Sequence, residues 1–201
     1  MGYMLRLFSK KDIKLVKENF FYFFQHESLK DFTIEEEKHN SHKLFAVRKN
    51  GVEHILIMEL LPAKIRQDRH KLSRILSSLD DKRPVNAVKW VKKYLKKVKI
   101  VYAFIPVMDY EKDYNWTIFS ELFIEVKAAL GGIVQIKDEG FTNESGDIVV
   151  WEYPDSATGI QTMAVRKFPG IWKRFDMNLA SIDQRKKFLS GKVPYKVSIR
   201  R

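Results

Sequence analysis

The stretch "KLFAVRKNGVEHILIMEL" (residues 43–60) decides what kind of chain this is. Two strand-like runs, 43–49 and 52–60, meet at Asn50-Gly51. That dipeptide is the strongest short hairpin signal, because both residues tolerate the positive φ a two-residue turn demands. "DFTIEEEKH" (31–39) is a third strand-like run, set off by "NSH" (40–42). Three strands are therefore expected, with 43–49 and 52–60 forming a hairpin.

Working outward, "SKKDIKLVKENFFYFFQHE" (9–27) reads as a helix capped by Ser9, with Ile13, Val16, Phe20 and Phe24 at helical spacing. Residues 68–99 read as two helices broken near Pro84. The second puts Val88, Val91, Leu95 and Val98 on one face and a row of lysines on the other. "IVYAFIPVM" (100–108) is almost free of charge, the pattern of a fully buried strand. In "TIFSELFIEVKAALGG" (117–132) apolar residues fall at helical intervals, and Gly131 supplies a left-handed C-terminal residue. Beyond it, "IVQIKDEGF" (133–141) and "GDIVVWEYP" (146–154) suggest a second hairpin around "TNESG". "GIQTMAVRKF" (159–168) reads as a strand, "SIDQRKKFLSG" (181–191) as a short helix, and "VPYKVSIRR" as a strand or basic tail. The expected class is α+β, with mixed or antiparallel sheets and packed helices. A single compact unit of residues 1–201 in two lobes, 1–99 and 100–201, is anticipated. The C-terminal half follows a β-α-β-β order close to a ferredoxin-like split βαβ.

Composition narrows the functional classes. With 45% apolar and 13% aromatic residues, the chain has ample material for a core and does not resemble a disordered one. No apolar run approaches the 18 or so residues of a membrane span, and the N-terminus lacks the pattern of a signal peptide. The absence of cysteine removes disulfides, zinc–thiolate sites and thiol nucleophiles. A cytoplasmic protein without a membrane partner and without a cofactor is expected. The net charge of +12 is unevenly distributed. Residues 82–108 hold basic residues and no acidic ones, 109–161 are strongly acidic, and 162–201 are strongly basic. Such a field attracts polyanions, unless the opposing blocks meet in the fold and cancel.

Two chemistries suggest themselves. Pro106, Asp109, Glu125 and Lys127 spell P-x-x-D…E-x-K, the order found in metal-dependent nucleases. On the helix expected there, however, Glu125 and Lys127 lie about 200° apart and share no site. The order helix, three strands, helix, strand over residues 9–108 resembles the core of the restriction-endonuclease and Holliday-junction-resolvase families. That resemblance implies a metal-binding Glu59, although His42 stands where an aspartate belongs and no x-Lys follows Glu59. His39, His42 and His54, with Glu37 or Glu59, form the candidate metal set. The other chemistry is binding. "KFPGIWKRF" (167–175) interleaves aromatics with cations, as proteins that grip single strands do. Lys89, Lys92, Lys93, Lys96, Lys173 and Arg174 are the expected phosphate contacts, with Trp172 as a stacking residue. Three functions follow: a non-enzymatic module for nucleic acid or an acidic protein, a regulatory module that self-associates as a homo-oligomer, and a divergent nuclease built on Glu59.

Overall fold

A computed structural model describes residues 5–16, 18, 30–39, 42–62, 64–107, 113–194 and 197–200. The protein is mixed α+β, and its packing divides it into two units, each assembled from separated stretches of chain. The first comprises residues 1–70 and 98–132, the second 71–97 and 133–201.

In the first unit, strands β1 (Leu5–Ser9), β2 (Phe32–His39), β3 (His42–Lys49), β4 (Val52–Leu60) and β5 (Ile100–Pro106) form an antiparallel sheet. Its order is β1-β5-β4-β3-β2. The Asn50-Gly51 hairpin forms as the sequence dictates, with φ of 51° and 76° at the two turn residues. Alternation along the strands sends Leu5, Leu7, Phe45, Ile57, Tyr102 and Phe104 to one face, all of them buried. Helix α3 (Asp113–Leu130) covers that face through Phe119 and Phe123, whose rings meet Phe104 edge-on at 6.2 and 5.2 Å. Before it in the chain come α1 (Arg66–Ser78), within which the division between units falls, and α2 (Val85–Leu95) of the second unit.

The helix expected from Ser9 onward is corrected in part. Ser9 ends β1, which pairs along its whole length with β5, and residues 10–16 are irregular. Instead of capping a helix, Ser9 Oγ accepts the Lys11 N–H at 3.1 Å and donates to the Leu130 carbonyl at 3.1 Å. Phe20 and Phe24 lie outside the described residues, as does Asp109.

The sheet of the second unit runs β11-β10-β9-β8-β7-β6 and is mixed. Its strands are β6 (Ile133–Ile136), β7 (Gly140–Thr142), β8 (Ile148–Trp151), β9 (Ile160–Lys167), β10 (Ile171–Asn178) and β11 (Ser198–Arg200). All neighbours in that order are antiparallel except β8 and β9. One face buries Met163, Val165, Phe175 and Met177, and α4 (Ile182–Leu189) seats Phe188 against Phe175 and Trp151 there. Ser181 caps α4 by accepting the Gln184 N–H at 3.4 Å.

Two expectations change here. "IVQIKDEGF" is two strands, because Asp138 turns the chain at φ 61° and Gly140 restarts it at φ 131°. A Cβ on Gly140 would fall 1.9 Å from the Val150 carbonyl oxygen, so no other residue fits between β7 and β8. "KFPGIWKRF" is the turn of a hairpin and the start of its second strand: Gly170 N–H closes on the Lys167 carbonyl at 2.6 Å, and eight residue pairs join β9 to β10.

Candidate nucleic-acid interface

Helix α2 positions most of the expected binding residues. Ala87, Val88, Val91, Tyr94 and Leu95 bury its inner side. Lys89, Lys93, Lys96 and Lys97 are left exposed. Among the described residues, no carboxylate lies within ion-pair distance of these four. Lys92 differs, because it pairs with Asp80. Lys92 and Lys93 occupy the last turn and Lys96 the C-cap, where a cation meets the negative end of the helix dipole.

Strand β10 brings the aromatic component. Trp172 and Arg174 point to the same face, and Lys173 to the other. Trp172 is half-buried, and its ring meets Trp90 of α2 edge-on at 5.0 Å, with Trp90 in turn 5.6 Å from Tyr94. The Arg166 guanidinium lies over the Trp172 ring at 6.0 Å. Burial, with Glu144 adding to it, pushes the Tyr94 hydroxyl far above its ordinary range. It therefore stays protonated at the base of the aromatic stack.

Arg174 is occupied. Its Nε donates to Asp147 Oδ1 at 2.7 Å, and Asp147 is 2% exposed. Asp147 also holds the β7–β8 loop, accepting from Asn143 Nδ2 at 2.9 Å while its own N–H donates to Asn143 Oδ1. Two other members of the acidic block pair similarly, Glu152 with Lys82 at 3.9 Å and Asp155 with Arg185 at 3.0 Å. The acidic and basic blocks thus meet in part, and, of the described residues, the exposed lysines of α2 are among those left without a carboxylate.

Beside that helix lies an open depression of about 500 Å³ lined by Arg83, Val85, Asn86, Lys89, Leu189 and Ser190. Asn86 organises it: Nδ2 donates to the Arg166 carbonyl at 3.0 Å, and a Cβ on Gly191 would lie 3.4 Å from Asn86 Oδ1. Asn86 thereby joins the first turn of α2 to β9 and to the end of α4. Nothing in the sequence marked Asn86, because its partners lie 80 and 105 positions away.

Among the described residues, the candidate nuclease residues do not converge. Glu59 is 2% exposed and accepts the Tyr102 hydroxyl at 2.8 Å, on the face that α3 covers. His42 lies on the opposite face, because Leu44 pairs with Met58 and side chains alternate. There His42 Nε2 sits 2.7 Å from Asp68 Oδ1, and Asp68 Oδ2 accepts the Leu61 N–H at 2.8 Å. The His54 ring meets Phe32 at 5.6 Å, and the His39 side chain lies outside what is described. Among the described residues no group of three histidines or carboxylates could hold a metal ion.

Comparison with protein-family models, with curated proteins and with solved structures gave no match. Fold and site together define a class only: a mixed α+β protein with a lysine-faced helix packed against an aromatic hairpin. No described helix is long and apolar enough to cross a membrane.

Proposed function

We propose that the protein is a non-enzymatic binding module for nucleic acid, and that α2 and the adjoining β9–β10 hairpin form the binding surface. The observation that carries this reading is the row Lys89, Lys93 and Lys96. These are exposed, free of carboxylates among the described residues, and set beside the Trp90–Trp172 pair. Cations spaced along one helix face match a phosphate backbone, and their affinity comes from counterion release. Trp172 contributes through the stack it builds with Trp90, holding Arg166 toward the ligand; Lys173 faces the other side of the strand and serves a flanking phosphate. Lys92 and Arg174 support the surface through Asp80 and Asp147.

Fluorescence anisotropy with labelled single- and double-stranded oligonucleotides of about 16 nucleotides tests the proposal. Affinity should fall steeply as salt rises from about 50 to 200 mM. Undetectable binding to both DNA and RNA at the lowest salt overturns it.

A further inference from the structure

Phe168 is 98% exposed, more than any other large apolar side chain among the described residues. It stands at the tip of the β9–β10 hairpin, where the chain needs no apolar residue. The turn Lys167–Gly170 is closed by its own hydrogen bond, and Pro169 fixes the backbone next to Phe168. A tip exists to reverse the chain, and the residues suited to it are polar or small. A phenylalanine held outward on a stiffened turn gains nothing from the fold, so its chemistry is directed at something else.

Its surroundings say what. Lys167 precedes it and is exposed, and Ile171, cross-strand from Lys167, is 66% exposed. Two residues back, the Arg166 carbonyl is held by Asn86, which brings Arg83 and Lys89 and their open depression to the base of the hairpin. Gly170 is required beside the tip: at φ 126°, a Cβ there would come within 3.0 Å of the Arg166 guanidinium. An exposed aromatic ring with Ile171 beside it, Lys167 on one side of the hairpin and Arg83 and Lys89 near its base on the other, suits an unpaired nucleobase with its phosphates. Bases within a duplex are already stacked and present no face to such a ring.

We infer that Phe168 is a stacking finger for an unpaired base, with Arg83 and Lys89 holding the adjacent phosphates, and that it makes the surface prefer single strands. The inference rests on the nucleic-acid reading proposed above. No covalent step is involved; the ring exchanges water for a base face.

The test compares wild type, Phe168→Ala and Phe168→Trp on single-stranded and duplex oligonucleotides that carry 2-aminopurine. Full exposure of Phe168 means that Phe168→Ala should leave the melting temperature unchanged. Expected is a roughly tenfold loss of single-strand affinity and loss of 2-aminopurine quenching in Phe168→Ala. The salt slope and duplex affinity should stay the same, and Phe168→Trp should restore both signals. Two outcomes overturn the inference while the nucleic-acid reading stands. One is wild-type affinity and quenching in Phe168→Ala; the other is equal losses on single strand and duplex. A wild type that binds no oligonucleotide at low salt removes the underlying reading itself. A parallel arm uses phosphatidylcholine–phosphatidylserine vesicles. Co-sedimentation abolished by Phe168→Ala, with oligonucleotide binding untouched, would make Phe168 a membrane wedge and sink the inference.

Discussion

Tyr102 and Glu59 face each other on adjacent strands, and the Tyr102 hydroxyl is satisfied twice. It donates to Glu59 Oε2 at 2.8 Å and accepts the Leu15 N–H at 2.9 Å. Tyr102 is fully buried, so each of these polar atoms depends on the others. Replacing Tyr102 with Phe keeps the ring and orphans both partners, a cost of about 2 kcal/mol. Glu59→Gln retains an acceptor oxygen and should cost less. Urea denaturation of the two variants checks the order, which would be reversed if Glu59 acted mainly through its charge.

Alkaline pH should weaken the protein through its tyrosines. Burial raises Tyr102 far above its ordinary value of 10.0, with the Leu15 amide opposing and Glu59 adding to the rise. Burial likewise raises Tyr94, with Glu144 adding. Unfolded tyrosines release their protons near pH 10, while these two keep theirs in the folded state. Stability from this source is therefore complete below pH 10 and is lost as pH climbs beyond it, by about 1.4 kcal/mol per pH unit for each group. Chemical denaturation at several pH values from neutral to alkaline should show the decline. The Tyr94→Phe, Tyr102→Phe double variant should lose most of that slope.

Gly140 and Gly159 both have positive φ but differ in room. A Cβ on Gly140 would strike the Val150 carbonyl, whereas one on Gly159 meets nothing within 4 Å. Gly159→Ala should cost about 1 kcal/mol, the strain of the backbone alone. Gly140→Ala should cost about 3 kcal/mol or more, or fail to fold. Thermal melts of the two variants make the comparison, and equal effects would show that β7 and β8 can separate.

The lysines of α2 should sort by their neighbours. Reversing Lys89, Lys93 and Lys96 to Glu should flatten the salt dependence of single-strand binding by about 2 in log–log slope, at about 0.7 per phosphate contact. Lys92→Glu, next to Asp80, should lower stability by less than about 1 kcal/mol. Arg174→Ala leaves the buried Asp147 without its cation and should cost more than Lys92→Glu, while changing the salt slope little. Anisotropy and melting run on the same variants separate the two effects. A loss of slope in Arg174→Ala would mean that Asp147 releases its partner on binding.

What the sequence disclosed follows the range of the forces involved. Asn50-Gly51, the apolar run 100–106 and the stripe of α3 are local signals, and each was readable from neighbouring residues. Lys89, Lys93 and Lys96 were readable as an exposed face because helical periodicity is local too. Strand β1 went unmarked, and Ser9 was read as a helix cap, because its pairing with β5 spans more than ninety residues, while the apolar spacing that follows offered a helical pattern. Strand β10 was obscured by its charges, which alternation places on both faces. Arg174 and Lys92 look identical in sequence to free cations. Only the fold brings Asp147 and Asp80 to them.

The two packing units share the chain in alternation, and this governs how the molecule can be made. While it is being synthesised, the first unit lacks β5, the strand that joins β1 to β4, and its covering helix until residues 98–132 have emerged. Helix α2 must meanwhile wait, its apolar side uncovered, for β8 and β9. A cut at any single position leaves at least one of the units incomplete. Fragments that end before residue 132 or begin after residue 71 hold neither unit whole, and should recover structure only when the missing stretch is supplied.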